Sequence, residues 1–336
     1  NGRLYRWDRI KRKKGNKHMK EHKFVKETPV VIYDKDGFPS MMLKLENTAP
    51  SKEEADPIFI VKGQEYDSVY LSRFVNSIMD GHAVSLPFMN PAVSLDMDEM
   101  IAACKAKGEK WHLLTIREWR YIVDRAIEGL HGNTSFGNSH KDASEYGIKG
   151  NYGLTLTGSG PASWFHNGDK ETGIADVVGL VWKTVAGLRL KNGVLEYMKD
   201  NDAAAPDADL SADSKEFLQI MIDGLPVRIG SDGDGLKITT DEVSEYNWDE
   251  RRNVEVDLVN VPEILKDLGI VTDNMEESRE WLAADPELEE CVCYVGASFD
   301  LTSNSGPSAL DLSSVRSYVH ANIGFFSALL GEPVIR

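Results

Sequence analysis

Gly296-Ala297-Ser298-Phe299-Asp300-Leu301-Thr302-Ser303-Asn304-Ser305-Gly306-Pro307-Ser308-Ala309-Leu310-Asp311-Leu312-Ser313-Ser314-Val315-Arg316-Ser317-Tyr318-Val319-His320-Ala321-Asn322-Ile323-Gly324-Phe325-Phe326-Ser327-Ala328-Leu329 is the stretch on which the reading of this chain turns. It is poor in charge and in long apolar runs, and rich in Ser, Asn and Gly. It nevertheless carries spaced apolar anchors at Phe299, Ala309, Leu310, Leu312, Ile323, Phe325, Ala328 and Leu329. Ala309–Leu312 and Asn322–Phe325 read as short strands whose apolar side chains face a core. The Ser, Asp, Tyr and His between them then point outward or lie in loops. Small polar residues mixed with a few aromatics on a rigid scaffold is the composition of a binding surface rather than of a catalytic cleft. By composition alone, a solvated, loop-rich C-terminus reads first.

The framework of the stretch resembles the variable region of proteins diversified by diversity-generating retroelements. These are built on a C-type-lectin-like fold shared with formylglycine-generating (sulfatase-modifying factor) enzymes. The resemblance rests on Gly296–Phe299 as the opening element. It continues through Gly306, Ala309–Leu310, Leu312 and Arg316–Ser317, and closes on Asn322–Leu329 with Phe326 where Arg is usual. Upstream, Trp111-His112-Leu113-Leu114-Thr115 with Glu118-Trp119 is similar to the family's Leu-Pro-Thr-x-x-Glu-Trp element. Thr157–Gly168 is similar to its Thr-Gly-Ser-Gly-Pro loop, and Gly173–Val185 to its Gly-x-x-Asp-Leu-x-Gly-Asn-Val-Trp-Glu-Trp-Val element. There Leu180, Lys183 and Thr184 replace the usual Asn, Glu and Trp, which argues against calcium at that motif.

The resemblance implies an α+β, C-type-lectin-like fold with two helices flanking short antiparallel strands. It implies residues 1–54 as a basic arm and β-hairpin, and 55–336 as the lectin-like domain. Within that domain lie an insertion over about 198–290 and a variable region over about 296–329. It further implies a non-enzymatic display protein whose ligand contacts are Ser298, Phe299, Asp300, Leu301, Ser303, Ser305, Ser308, Asp311, Ser313, Ser314, Ser317, Tyr318, His320 and Ala321. The expected partner is a protein or glycan on a target cell surface, with Tyr318, His320 and Phe299 as anchors and no cofactor. The oxygen-activating branch of the family needs a Cys-x₄-Cys pair after the opening element; Asp300–Gly306 holds no cysteine. A structural virion or tail subunit and a calcium-dependent carbohydrate-binding lectin are the alternatives, the latter without a Glu-Pro-Asn-type loop here.

The rest of the chain bounds these readings. At 336 residues and 41% hydrophobic it can bury a sizeable core. No apolar run reaches the ~20 residues of a bilayer span, so membrane insertion is not expected. No signal peptide opens the sequence; placement on a virion tail or fibre tip, or on a cell surface, is what the family allows. The three cysteines (Cys104, Cys291, Cys293) form no disulfide framework or zinc spacing. Net charge is −16, which disfavours nucleic acid as main partner. That charge is uneven: residues 1–28 hold eleven Lys/Arg against three acids, leaving 27 basic and 51 acidic residues elsewhere.

Local signals place the elements. Val30–Tyr33 and Met41–Leu45 around Asp34–Gly37 read as a hairpin, and Phe59–Val61 and Tyr70–Phe74 as strands. Asp96 with Glu99, and Thr115 with Glu118, are capping boxes for two helices; the second carries apolar residues from Trp119 to Leu130. His112 reads as a hydrogen-bonded framework residue. In the insertion, helices are expected around Ser211–Asp223, Pro262–Leu268 and Met275–Ala284. Asp232 and Asp234 before Gly235 read as a polar turn rather than a calcium loop.

Overall fold

The computed structural model describes residues 22–333. Most of the basic arm lies outside the described residues, as do residues 334–336. Among the described residues the regular structure is mostly strand, with three α-helices: α1 (Met97–Ala106), α2 (Ile116–Asp124) and α3 (Glu263–Asp267).

A five-stranded antiparallel sheet ties the two ends of the chain together. Its order is Val25–Tyr33, Pro39–Asn47, Ser68–Ser72, Ser327–Leu330, Trp111–Leu113. The N-terminal hairpin forms at the expected place, and Pro39–Asn47 pairs directly with Ser68–Ser72. The last strand inserts between strands more than two hundred residues away in sequence.

An eleven-stranded mixed sheet carries the C-terminal stretch. Its main path runs Asn247–Glu250, Trp281–Ala284, Leu310–Ser314, Glu290–Val295, Trp182–Lys191, Val194–Tyr197, Arg228–Ser231, Leu236–Thr239, Glu255–Asp257. Ile323–Phe325 adds in parallel to the start of Trp182–Lys191. Six of the eleven strands come from 198–290. The insertion is therefore sheet, continuous with the strands that bear the stretch.

Two layers of core flank this sheet. Leu282, Leu310, Leu312, Cys291, Cys293 and Val295 face one layer, together with Trp119 and Ile122 of α2. Val292, Tyr294, Ala309, Ile323 and Phe325 face the other, with Met97, Met100 and Cys104 of α1. This alternation along strands is the period-two pattern of a sheet covered on both sides.

Both helices begin where their caps dictate. Asp96 accepts from the Glu99 N–H while Glu99 returns to the Asp96 N–H, and Thr115 and Glu118 do the same. α2 stops at Asp124, short of the apolar stripe read to Leu130; Gly129 there has φ of +72°. Glu118 is buried and holds a network: its carboxylate accepts from His112 Nε2 at 2.9 Å and from Asn201 Nδ2 at 3.1 Å. His112 is thus a framework histidine, as its isolation in sequence suggested.

Two helices expected in the insertion are absent. Leu218–Gln219 and Met221–Ile222 are strands, and Met221–Ile222 turns back onto Leu225–Pro226. Asp223 and Gly224 both have positive φ, the Asp-Gly signature of a tight hairpin, which overrides the helical spacing of the apolar residues. Met275–Glu277 is a 3₁₀ turn, and Trp281–Ala284 is a strand parallel to Leu310–Ser314. Ala-rich local preference for helix yields there to pairing on both strand edges. The third expected helix forms as α3. Asp232 and Asp234 form the polar turn expected, with Lys237 Nζ donating to Asp232 Oδ2 at 2.6 Å.

Candidate binding surface

The C-terminal stretch leaves the large sheet at Gly296 and returns to it at Leu310. Gly296 (φ +77°) makes the exit; a Cβ there would lie 2.4 Å from the Val177 carbonyl oxygen and against the Trp119 ring. Lys183, buried below this turn, donates from Nζ to the Val177 oxygen at 3.1 Å, the Gly179 oxygen at 2.5 Å and the Ala297 oxygen at 3.5 Å. Burial pushes its ammonium down to about 7, against the favourable charge of Asp176. Asp176 is buried as well, accepts from the Gly158 N–H at 2.7 Å, and is pushed up to about 6 by loss of solvent. Lys183 thus ties carbonyls of the Gly173–Val185 segment to the carbonyl of Ala297 at the start of the C-terminal stretch.

Ser298 is buried, with Oγ donating to Asp300 Oδ1 at 2.5 Å. Phe299 is buried against Phe136, ring centroids 5.1 Å apart and nearly perpendicular, while the Phe136 N–H donates to the Phe299 carbonyl. Ser305 is buried too. These three depart from the outward placement expected of them, because the loop folds down over the core between its anchors. Asp300, Ser303, Ser317, Tyr318 and His320 are exposed; Leu301, Ser308, Asp311, Ser313, Ser314 and Ala321 are half-buried.

The insertion grips the middle of the stretch through both backbone polar groups of one residue, Ser308. Glu280 Oε2 accepts from the Ser308 N–H at 3.1 Å, and the buried Arg251 donates from Nε to the Ser308 carbonyl at 2.9 Å. The same guanidinium donates to the Ile270 and Gly269 carbonyls at 2.8 and 3.0 Å. Gly306 is required beside this grip, since a Cβ would fall 1.9 Å from Glu280 Oε1. Further on, Arg316 donates to Glu290 Oε2 at 3.2 Å and Asp98 Oδ1 at 2.8 Å, pinning the loop before His320 to α1's first turn. Tyr318 and His320 lie parallel, centroids 6.2 Å apart, on the exposed side of that loop.

The sheet register brings a second set of residues to the same surface. Trp248, Ala283, Asp311 and Tyr294 face one another across four adjacent strands. Trp281, two residues from Ala283, shares that face and stacks on Trp248 with centroids 4.1 Å apart and planes 9° from parallel. Its Nε1 donates to Asp311 Oδ2 at 3.1 Å. Asp311 Oδ1 accepts from the Ser313 N–H at 2.9 Å and hydroxyl at 2.6 Å. Burial holds the Asp311 carboxyl above its ordinary range, opposed by these donors. Trp248, Trp281 and Tyr246 escape a reading of the C-terminal stretch, because they stand in the insertion and reach it only by strand pairing. The visible signal was two tryptophans and a tyrosine in otherwise acidic segments.

For nucleophilic chemistry, the cysteines offer little: Cys291 and Cys293 are free and buried, and burial pushes both thiols up, Cys291 to about 12. Among the described residues, no cluster of His, Cys, Asp and Glu is arranged to hold a metal ion, and no helix is long and apolar enough to cross a membrane. No protein-family model matches this chain, and no curated protein matches it.

Proposed function

We propose that this chain is a non-enzymatic ligand-binding display protein of C-type-lectin-like fold, whose C-terminal surface residues are diversified by a retroelement to alter target specificity. One observation carries the reading. In 306–325 the apolar anchors Ala309, Leu310, Leu312, Ile323 and Phe325 are buried, while Ser308, Asp311, Ser313, Ser314, Ser317, Tyr318, His320 and Ala321 keep solvent access. Side chains at the second set can change without disturbing the packing of the first, the property a diversified surface needs. The burial of Ser298, Phe299 and Ser305 makes those three framework in this reading.

The target is a protein or glycan on another cell, and the protein works at a virion tail tip or on a cell surface. A standard protein partner covers ~800 Å² per side; Trp248, Trp281 and Tyr246 extend the surface from the insertion. The test is deep sequencing of the 3′ end of the gene in a natural population. Substitutions confined to the solvent-accessible positions, with a near-identical template repeat and a reverse-transcriptase gene nearby, are the expected result. An invariant 3′ end without a template would leave the structural-subunit reading in its place.

A further inference from the structure

We propose that two copies of this chain join edge to edge through Val31 and Tyr33, the strand Val25–Tyr33 pairing antiparallel with the same strand of a second copy. The inference stands apart from the display reading.

Val25–Tyr33 is the outermost strand of the five-stranded sheet, and Pro39–Asn47 is its one strand neighbour among the described residues. The register shows which of its backbone groups are already used. At the two ends of the hairpin the Asp34 N–H donates to the Phe38 carbonyl and the Thr48 N–H to the Phe24 carbonyl, in line with the pairing between them. Bonded residues alternate along an antiparallel ladder. Even-numbered residues, Val30 and Ile32 included, therefore turn N–H and C=O toward Pro39–Asn47, and odd-numbered ones turn theirs to the free edge. Pro29, which has no N–H to give, falls in the outward set, the place an edge strand tolerates it. Among the described residues no backbone or side-chain group outside the hairpin bonds the N–H or C=O of Val31 or Tyr33.

The free run is short and bounded. Toward the N-terminus the Glu27 side chain is held by the Tyr121 hydroxyl and Arg125, Pro29 lacks a donor, and beyond Tyr33 the chain turns at Asp34. Val31 and Tyr33 remain, with two donors and two acceptors. Unpaired edge groups at this spacing are matched by another strand, and here the strand's own copy fits. With a two-fold axis at Ile32, Val31 of each copy faces Tyr33 of the other, and each pair exchanges two N–H···O bonds. Every free group on both edges is then satisfied, and Pro29 lies past the paired run. An axis at Val31 would instead set Tyr33 against Pro29 and leave a carbonyl without a donor. The side chains agree with the first register. Val31 and Tyr33 share one face and are 53% and 62% exposed. The pairing sets the branched side chain directly against the ring, a favourable cross-strand pair. Pro29–Tyr33 carries no charge, so two copies of a chain of net charge −16 meet there without local repulsion.

The test is sedimentation velocity of the full chain from micromolar to sub-millimolar concentration, with amide hydrogen exchange followed across the same range. We expect a reversible monomer–dimer equilibrium, and slower exchange at high concentration for the Val31 and Tyr33 amides. Val31→Pro removes only the outward N–H and should raise the dimer dissociation constant at least ~tenfold, with the melting temperature of the dilute protein unchanged. Tyr33→Lys, at an exposed side chain, should weaken the dimer as well and decides the matter if the proline variant fails to fold. A monomer throughout the range, a dimer that Tyr33→Lys leaves as tight as the parent, or exchange at Val31 and Tyr33 that ignores concentration would each overturn the proposal.

Discussion

Phe299 and Tyr318 are both aromatic, both in the C-terminal stretch, and do opposite jobs. Phe299 packs edge-on against Phe136 and belongs to the core, whereas Tyr318 is 44% exposed beside His320. Phe299→Ala should destabilise the fold by ~3 kcal/mol, the cost of a vacated aromatic site. Tyr318→Ala should change stability by less than ~0.5 kcal/mol while weakening binding of the target; chemical denaturation of the two variants separates the roles. Lys183 offers a pH test at the same scale. Its folded pKa of about 7 lies below the unfolded 10.5. Between those values the unfolded chain holds a proton that the folded chain lacks, so this residue makes stability rise as pH rises from about 7 to 10.5. Below about 7 both states are protonated and its contribution is flat. Lys183→Met should therefore flatten the stability–pH curve across that window relative to the parent. Lys107, pushed down to about 7 in the same way, cancels in the comparison.

At the scale of elements, the C-terminal stretch is held by its neighbours more than by its own hydrogen bonds. Arg251 reaches the Ser308, Ile270 and Gly269 carbonyls from the insertion, so one buried side chain joins α3's exit to the edge of the Leu310–Ser314 strand. Arg251→Met would leave those carbonyls without their donor and Glu280 without its nearby positive charge. A loss of ~3–5 kcal/mol is expected. A loss below ~1 kcal/mol in urea denaturation would mean that packing alone seats the stretch. The helices show what local sequence can specify: both capping boxes form as read, because each satisfies its own orphan N–H groups within one turn. The insertion's strands show the limit. Trp281–Ala284 has no strong strand signal of its own, and becomes a strand because both its edges are paired.

For the molecule as a whole, the segment 198–290 is structural sheet. It supplies six of the eleven strands and the stacked Trp248–Trp281 pair, whose Trp281 indole donates to Asp311. Replacing residues 205–284 by a short Gly/Ser linker should abolish cooperative thermal unfolding and near-UV circular dichroism, since the Leu310–Ser314 strand would lose one whole edge. Retention of a sharp transition would mean that the remaining strands close a core unaided.

How far the sequence could be read follows from the range of each interaction. The capped starts of α1 and α2, the N-terminal hairpin, His112 as framework and the buried anchors from Ala309 to Phe325 all depend on residues within a few positions of one another. Periodicity and caps expose them directly. The expected helices at Ser211–Asp223 and Met275–Ala284 failed because apolar spacing in a short segment is ambiguous, and the deciding partners lie elsewhere in the chain. Likewise, no local pattern could bury Ser298 and Ser305 or bring Trp248 and Trp281 beside Asp311. By itself, then, the sequence determined which residues of the last stretch are anchors, since alternation of apolar and polar side chains is a local property. Only the tertiary structure decided which of the remaining residues face solvent and which distant aromatics join them, because strand pairing and charge burial act between residues far apart in the chain.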